Sequence, residues 1–167
     1  NIDEEKLHKY LKGTQQYSSA EINSAISQLK RAAGNIAAGL YHANKETYGL
    51  LRYGVNVSEG FAGSEGFTPS ETLTKANKKY VHLIDWKNPQ ANDFYIAEEV
   101  TVKGRNTKRP DLVIYVNGIA LAVIELKRST VSVHHGIRQN MDNQSDEFIP
   151  QFFTTVQLVF AGNDTEG

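Results

Sequence analysis

RPDLVIYVNGIALAVIELK, residues 109–127, is the stretch on which the fold turns. Within it, residues 112–116 (LVIYV) and 119–124 (IALAVI) are continuously apolar. Runs of this length and composition read as strands buried on both faces, which predicts helices packed on both sides of their sheet. Asn117-Gly118 between them is a hairpin signal. Charges stand at the strand ends: Asp111 where the first run begins, Glu125 and Lys127 where the second finishes. Residues two apart on a strand share a face, so Glu125 and Lys127 point the same way and Leu126 the other. Charged groups at the ends of apolar strands are costly to bury unless a metal or an opposite charge relieves them.

Strand parity sets a condition on that cluster. A strict two-residue loop at Asn117-Gly118 would pair 116 with 119 and 111 with 124. Asp111 and Glu125 would then lie on opposite faces, because a one-residue change of register reverses the side-chain direction. The two carboxylates can share an ion only with an odd correction. One is a three-residue loop, 116–118, with Gly118 in the left-handed region; the other is a bulge near Asp111. Given that correction, Asp111 and Glu125 suit a hard divalent cation such as Mg²⁺, which keeps several waters beside one or two carboxylates. Such an ion polarises a phosphodiester and acidifies an attacking water, and a neighbouring lysine orients that water or steadies the transition state. The bare pattern is not specific, since an acid, any residue and a lysine also occur at Glu4-Glu5-Lys6 and Asp85-Trp86-Lys87. Taken alone it leaves open a structural ion pair of Asp111 with Lys127.

Outward from this stretch, the first fifty residues read as helical. Residues 3–12 carry Leu7, Tyr10 and Leu11 on one face; Ser18 and Glu21 form a capping-box pattern ahead of Ile22, Ala25, Ile26, Leu29 and Ala33. A third helix is expected from about Ile36 to Leu51, stopped by Gly54. Val55 and Val57 suggest a short strand, 58–78 a long polar loop, 80–86 and 94–102 further strands, with turns between. Residues 135–145 read as a helix with Ile137, Met141 and Gln144 on one side, and 155–161 as a last strand. This order predicts an α/β fold, a mixed sheet flanked by helices. It divides into an N-terminal helical arm at 1–34 and a main domain at 35–167.

Composition narrows the function. The 167 residues contain no cysteine, which excludes disulfides, thiolate zinc sites and cysteine nucleophiles and suggests an intracellular, cytoplasmic protein. No apolar run approaches the roughly 18 residues of a membrane span, and no secretory signal opens the chain. The chain begins at Asn1 and stops at Gly167 just after a strand-like run, as a fragment of a larger protein would. A formal net charge of −1 is unusual for a domain that holds DNA by itself, so another part of the parent would supply most of the grip.

The run from Ala43 to Gly162 resembles the N-terminal nuclease domain of the motor (R) subunit of type I restriction-modification enzymes. The matching stretches are ANKETYGLLRYGV, HLIDWKNPQANDFYIAEEVTV, KRPDLVIYVNGIALAVIELK and VQLVFAGND, in the family's order. The resemblance implies a restriction-endonuclease-like PD-(D/E)xK fold, with Pro110-Asp111, Glu125 and Lys127 as the motif and Asp111 and Glu125 as Mg²⁺ ligands. It adds Gln139 on the following helix; where the family tends to place a tyrosine four residues later, this chain has Asn143. Nucleases of this fold often use an acid from the first helix, for which Glu46 is the nearest candidate, though a solvated helix charge is the better reading of it. The implied activity is Mg²⁺-dependent cleavage of double-stranded DNA within an ATP-dependent complex. The ATP-driven motor would lie downstream, and separate specificity and modification (methyltransferase) subunits would be the partners.

Other residues carry less. His134-His135 lack a third ligand at helical spacing and read as flanking the groove or opening the helix, not as a zinc site. Lys108, Arg109, Arg128 and Arg138 are candidate phosphate contacts, or plain surface charges. Trp86 reads as packed at the rim of the core. Gly60, Gly63 and Gly66 do not form a phosphate loop, so ATP binding is not encoded in this stretch. Two other readings remain: a catalytically inactive nuclease-fold module that docks DNA or a partner, and a small-molecule metallohydrolase, which would need a deep apolar pocket.

Overall fold

Helix ends fall where local chemistry sets them in the computed structural model, which describes residues 1–14, 16–58 and 78–165. Helix α1, Glu4–Gly13, is capped by the Asp3 carboxylate, which accepts from Lys6 N at 3.1 Å. Helix α2, Ser19–Gly34, opens on the expected capping box: Ser18 accepts from Glu21 N, and Glu21 accepts from Ser18 N at 2.8 Å. The third helical stretch is broken. A short 3₁₀ turn at Ile36–Ala38 ends at Gly39, with φ +92°, and α3 then runs Leu40–Tyr53 until Gly54, with φ +86°.

Strand β1 (Val55–Asn56) pairs antiparallel with β2 (Tyr80–Val81). The second of these is much shorter than the strand expected over 80–86. The Asp85 carboxylate accepts from Lys87 N and Asn88 N, and the buried Asn92 amide bonds the backbone of Asp85, so the chain turns there. Strand β3, Phe94–Glu98, also ends early, at Glu99 with φ +51°. The loop expected over 58–78, with Gly60, Gly63 and Gly66, lies almost wholly outside the described residues.

Strands β4 (Leu112–Val116) and β5 (Ile119–Leu126), helix α4 (His134–Asn143) and strand β6 (Leu158–Gly162) complete a four-stranded sheet ordered β3-β4-β5-β6. The first three strands are antiparallel and β6 lies parallel to β5. Mixed pairing with flanking helices makes this a restriction-endonuclease-like α/β fold. The core is built in two parts. Leu7, Leu11, Ile22 and Leu29 of the first helices pack with Val55, Val81, Leu83, Val116 and Ile119. Phe152, Phe153 and Val156 pack on Val113, Tyr115 and Val123 of the sheet.

The hairpin resolves the parity condition. Its turn has two residues, Asn117 and Gly118, with φ of +52° and +85°, as a type I′ turn requires; the three-residue loop is not used. Gly118 has no room for a side chain, since a Cβ there would lie 2.5 Å from Asp3 O and 2.9 Å from Leu7 N. Pairing starts as Val116 with Ile119 and Tyr115 with Ala120, then shifts to Ile114 with Ala122 and Leu112 with Ile124. Leu121 is therefore an unopposed bulge residue. The correction is a bulge, placed next to the turn instead of beside Asp111.

Two expectations need amending. The face of the sheet that carries Phe94, Ile96, Leu158 and Phe160 is exposed, so β4 and β5 are not covered on both sides along their whole length. The side of α4 with Ile137 and Met141 faces outward, and its buried residues are Gly136, Asn140 and Asn143. The helix rests on strand ends and polar groups, which a small residue and amides suit better than branched apolar ones.

Candidate active site

The bulge at Leu121 sets the site. Beyond it the register advances by one, so the residue after Ile124 faces the residue before Leu112: Glu125 stands opposite Asp111. Asp111 Oδ2 accepts from Leu126 N at 2.8 Å, which ties the start of β4 to the end of β5. Glu125 is fully buried. Gln139 Nε2 donates to Glu125 Oε2 at 2.7 Å, and Lys127 Nζ donates to Gln139 Oε1 at 2.7 Å. Only this orientation of the Gln139 amide satisfies both neighbours. Lys127 Nζ lies 3.6 Å from Glu125 Oε2, with its side chain largely buried. The ion pair formed is thus Lys127 with Glu125.

Glu125 Oε1, by contrast, is buried with no hydrogen-bond partner. Burial first, and the facing Asp111 carboxylate second, push the Glu125 carboxyl up to about 7, with Lys127 pulling against them. A buried carboxyl with an unpartnered oxygen, facing a second carboxylate, is a place for a proton or a cation. Among the described residues no cluster of three or more His, Asp or Glu side chains offers itself. Two carboxylates without histidine or thiolate fit Mg²⁺, which draws its remaining ligands from water and phosphate. They fit zinc poorly.

Helix α4 brings Gln139 to the strand ends by close approach. A Cβ on Gly136 would lie 2.9 Å from the Ala161 Cβ and 3.6 Å from both Glu125 O and Lys127 Cε. Asn140 Nδ2 donates to Phe160 O at 2.9 Å and pins the helix to β6. Sequence reasoning missed both residues. The available signal was a glycine inside a helical pattern, which marks either a weak helix or a near backbone. Asn143 is buried, and its backbone oxygen accepts from Ile149 N at 3.1 Å.

The other candidates sit apart from this cluster or on its rim. Glu46 is an exposed residue of α3 whose carboxylate accepts from Asn35 Nδ2 at 3.5 Å, and among the described residues it does not form a three-acid group with Asp111 and Glu125. Lys108 lies over the Phe148 ring at 3.9 Å, and Arg109 pairs with Glu99 at 3.4 Å. Arg128 and Arg138 are exposed, each adjacent in sequence to a residue of the site. His134 and His135 are exposed in the first turn of α4. Trp86 is half exposed, with Nε1 donating to Leu51 O at 2.8 Å. Beside Asp111 lies a cavity of about 380 Å³ lined by Glu98, Glu99, Asp111, Leu112 and Leu126; its carboxylates set it apart from a deep apolar pocket.

A mixed sheet of this order, with a buried glutamate facing a partly exposed aspartate at two strand ends, belongs to the restriction-endonuclease-like class. Residues 1–167 match the family described as "Type I restriction enzyme R protein N terminus", and the chain belongs to that family. The MjaVIIIP protein of Methanocaldococcus jannaschii, provisionally named a type I restriction enzyme endonuclease subunit, is 33% identical over 98 residues. Those residues are 56% of this chain and 10% of that protein. The MjaVIIP protein of the same organism, similarly named, is 28% identical over 112 residues, 66% of this chain and 9% of its own length. The type I restriction enzyme EcoprrI endonuclease subunit of Escherichia coli is 28% identical over 88 residues, 52% and 28% of the two chains. The chain thus spans about a tenth of the length of the two archaeal relatives. Among the described residues no helix is long and apolar enough to cross a membrane.

Proposed function

We propose that this domain cleaves double-stranded DNA by Mg²⁺-dependent phosphodiester hydrolysis as part of an ATP-dependent type I restriction complex. The observation that carries this reading is the buried Glu125 carboxyl, with its Oε1 unpartnered, on the residue that faces Asp111 across the strand pair. Asp111 and Glu125 would hold the ion, and Pro110-Asp111, Glu125 and Lys127 would be the PD-(D/E)xK motif. When bound, the metal supplies Lewis-acid polarisation of the scissile phosphate and a more acidic water. Lys127 carries a positive charge beside that position, where it attracts the phosphate and orients the water. Gln139 bridges Lys127 and Glu125, so it holds the ammonium at the site and keeps it from closing a tighter pair with the carboxylate. Arg128 and Arg138, both exposed and next in sequence to Lys127 and Gln139, would contact backbone phosphates.

The net charge of −1 gives this domain little hold on DNA, so duplex retention falls to the rest of the complex. ATP-driven motor domains would lie downstream, and specificity and modification subunits would be the partners. The test is a supercoiled-plasmid assay on the reconstituted complex with ATP and Mg²⁺. Wild type is expected to convert the plasmid to nicked and linear forms, and Asp111→Ala is expected not to. Cleavage by folded Asp111→Ala at the wild-type rate would end this assignment and leave a nuclease fold used only for docking.

A further inference from the structure

The face of the sheet opposite Glu125 is apolar, and among the described residues much of it is uncovered. Strand parity puts Phe94, Ile96, Leu126, Leu158 and Phe160 on it, each about half exposed or more, at 48% to 62%. Leu112, Ile114 and Ile124 lie between them, only partly buried. At the hairpin end the same face is covered, since Val116 is buried against the N-terminal helices. Coverage thus stops partway along the sheet. Single exposed apolar side chains are ordinary on protein surfaces, whereas a contiguous patch across four strands marks an interface. The far end of this face opens into the cavity lined by Glu98, Glu99, Asp111, Leu112 and Leu126.

We propose that this face is the docking surface for an amphipathic helix from the remainder of the same R-subunit polypeptide. That helix would carry an apolar stripe over Ile96, Ile114 and Phe160 and a lysine or arginine beside Glu98, since Glu99 already pairs with Arg109. Two observations select this occupant. The family is an N-terminal part by its own description, and the archaeal relatives are about ten times longer than the stretch they share with this chain. The acidic rim gives the patch a polarity that a basic end of a helix complements and a second copy of the same acidic rim does not. A helix laid across an open sheet face is also the ordinary way to complete such a layer. The inference rests on family membership and not on the cleavage reading, so loss of one leaves the other standing.

The absence of cysteine makes the test direct. Single variants Ile96→Cys and Phe160→Cys, with Tyr41→Cys on exposed α3 as a control, are labelled with a thiol reagent in the 167-residue chain and in the complete subunit. In the complete subunit, thiols outside this chain are removed first. The expected result is rapid labelling at all three positions in the short chain. In the complete subunit, labelling at 96 and 160 should slow at least tenfold, with no change at 41. Adding Glu98→Lys to the complete subunit should restore much of the labelling at 96. Equal labelling in both forms would overturn the proposal. So would slow labelling in the short chain: concentration-dependent protection with a dimer in sedimentation would assign the face to a second copy, and protection in a monomer would assign it to this chain itself.

Discussion

Replacing Glu125 by glutamine should make the metal-free domain more stable at neutral pH while removing its proposed activity. The folded carboxyl is raised to about 7 from an ordinary 4.5, chiefly by burial and then by Asp111. A raised acid favours the protonated form in the folded state, so its contribution is fully present below about 4.5. It is lost as the pH rises to about 7 and changes little above that. At about 1.4 kcal/mol per pH unit, the interval amounts to on the order of 3 kcal/mol. Glutamine keeps the shape without the titration. Its oxygen can accept from Gln139 Nε2 as Glu125 Oε2 does, and its amide can donate toward Asp111 where Oε1 has no partner. Urea unfolding in EDTA from pH 4.5 to 8 measures the difference between the two proteins, which cancels the other carboxylates. The variant should match wild type near pH 4.5 and exceed it by about 2–3 kcal/mol at pH 8. Mg²⁺ at a hundredfold over its dissociation constant should stabilise wild type by about 2.7 kcal/mol and the variant by much less. A variant less stable than wild type at pH 8 in EDTA, or a difference that ignores pH, would refute this account of the buried carboxyl.

Lys127→Ala should lower plasmid cleavage by the reconstituted complex by roughly 10²–10³-fold, the usual loss for one preorganised charge at a developing anion, and leave its ATPase rate unchanged. A parallel fall in both activities would contradict the separation. Gly136→Ala should destabilise the domain by about 1–3 kcal/mol because its Cβ would meet the Ala161 Cβ at 2.9 Å. Combining it with Ala161→Gly should recover part of that loss in urea titrations, and strict additivity would show that the two positions do not touch. Deleting Leu121 removes the bulge and should turn Glu125 to the opposite face. A deletion variant with native circular dichroism that still cleaves would disprove the role assigned to the bulge.

Much of this arrangement was legible in residues 109–127, and the part that was not has a definable cause. Apolar runs, a turn dipeptide and terminal charges are local signals, and they located β4, β5 and the cluster of Asp111, Glu125 and Lys127. Parity showed that a correction was needed between Asp111 and Glu125. Its position was not readable, since Leu121 looks like any other apolar residue of a buried strand and its unpaired state depends on how β4 and β5 settle around the turn. Helix α4 was found by period, yet its face was not. Ile137 and Met141 suggest an apolar contact, while the observed contact uses Gly136 and Asn140 against backbone groups of β5 and β6. Strand β2 was overextended for a similar reason, because the Asp85–Asn92 turn is held by side chain to backbone bonds that hydropathy does not register.

The bulge also explains how one hairpin can serve as core and as the edge proposed to be reactive. On the turn side of Leu121, Val116 and Ile119 pack with the N-terminal helices, and Gly118 is pressed against the backbone of α1. On the far side, β4 and β5 set Val113 and Val123 against the aromatic cluster and, two residues on, Asp111 and Glu125 at their open end. A plain two-residue hairpin could satisfy the first half only by placing the two acids on opposite faces. Lengthening the turn would restore the acids, but it would alter the tight contact of Gly118 with Asp3 and Leu7. One extra residue inside β5 corrects the register after the turn has been fixed, and so it decouples the packing of the hairpin from the pairing of its acids. The same choice keeps Leu126, beside Glu125, on the open apolar face. The element that forms the proposed metal site thereby also contributes to the surface proposed to receive the rest of the subunit.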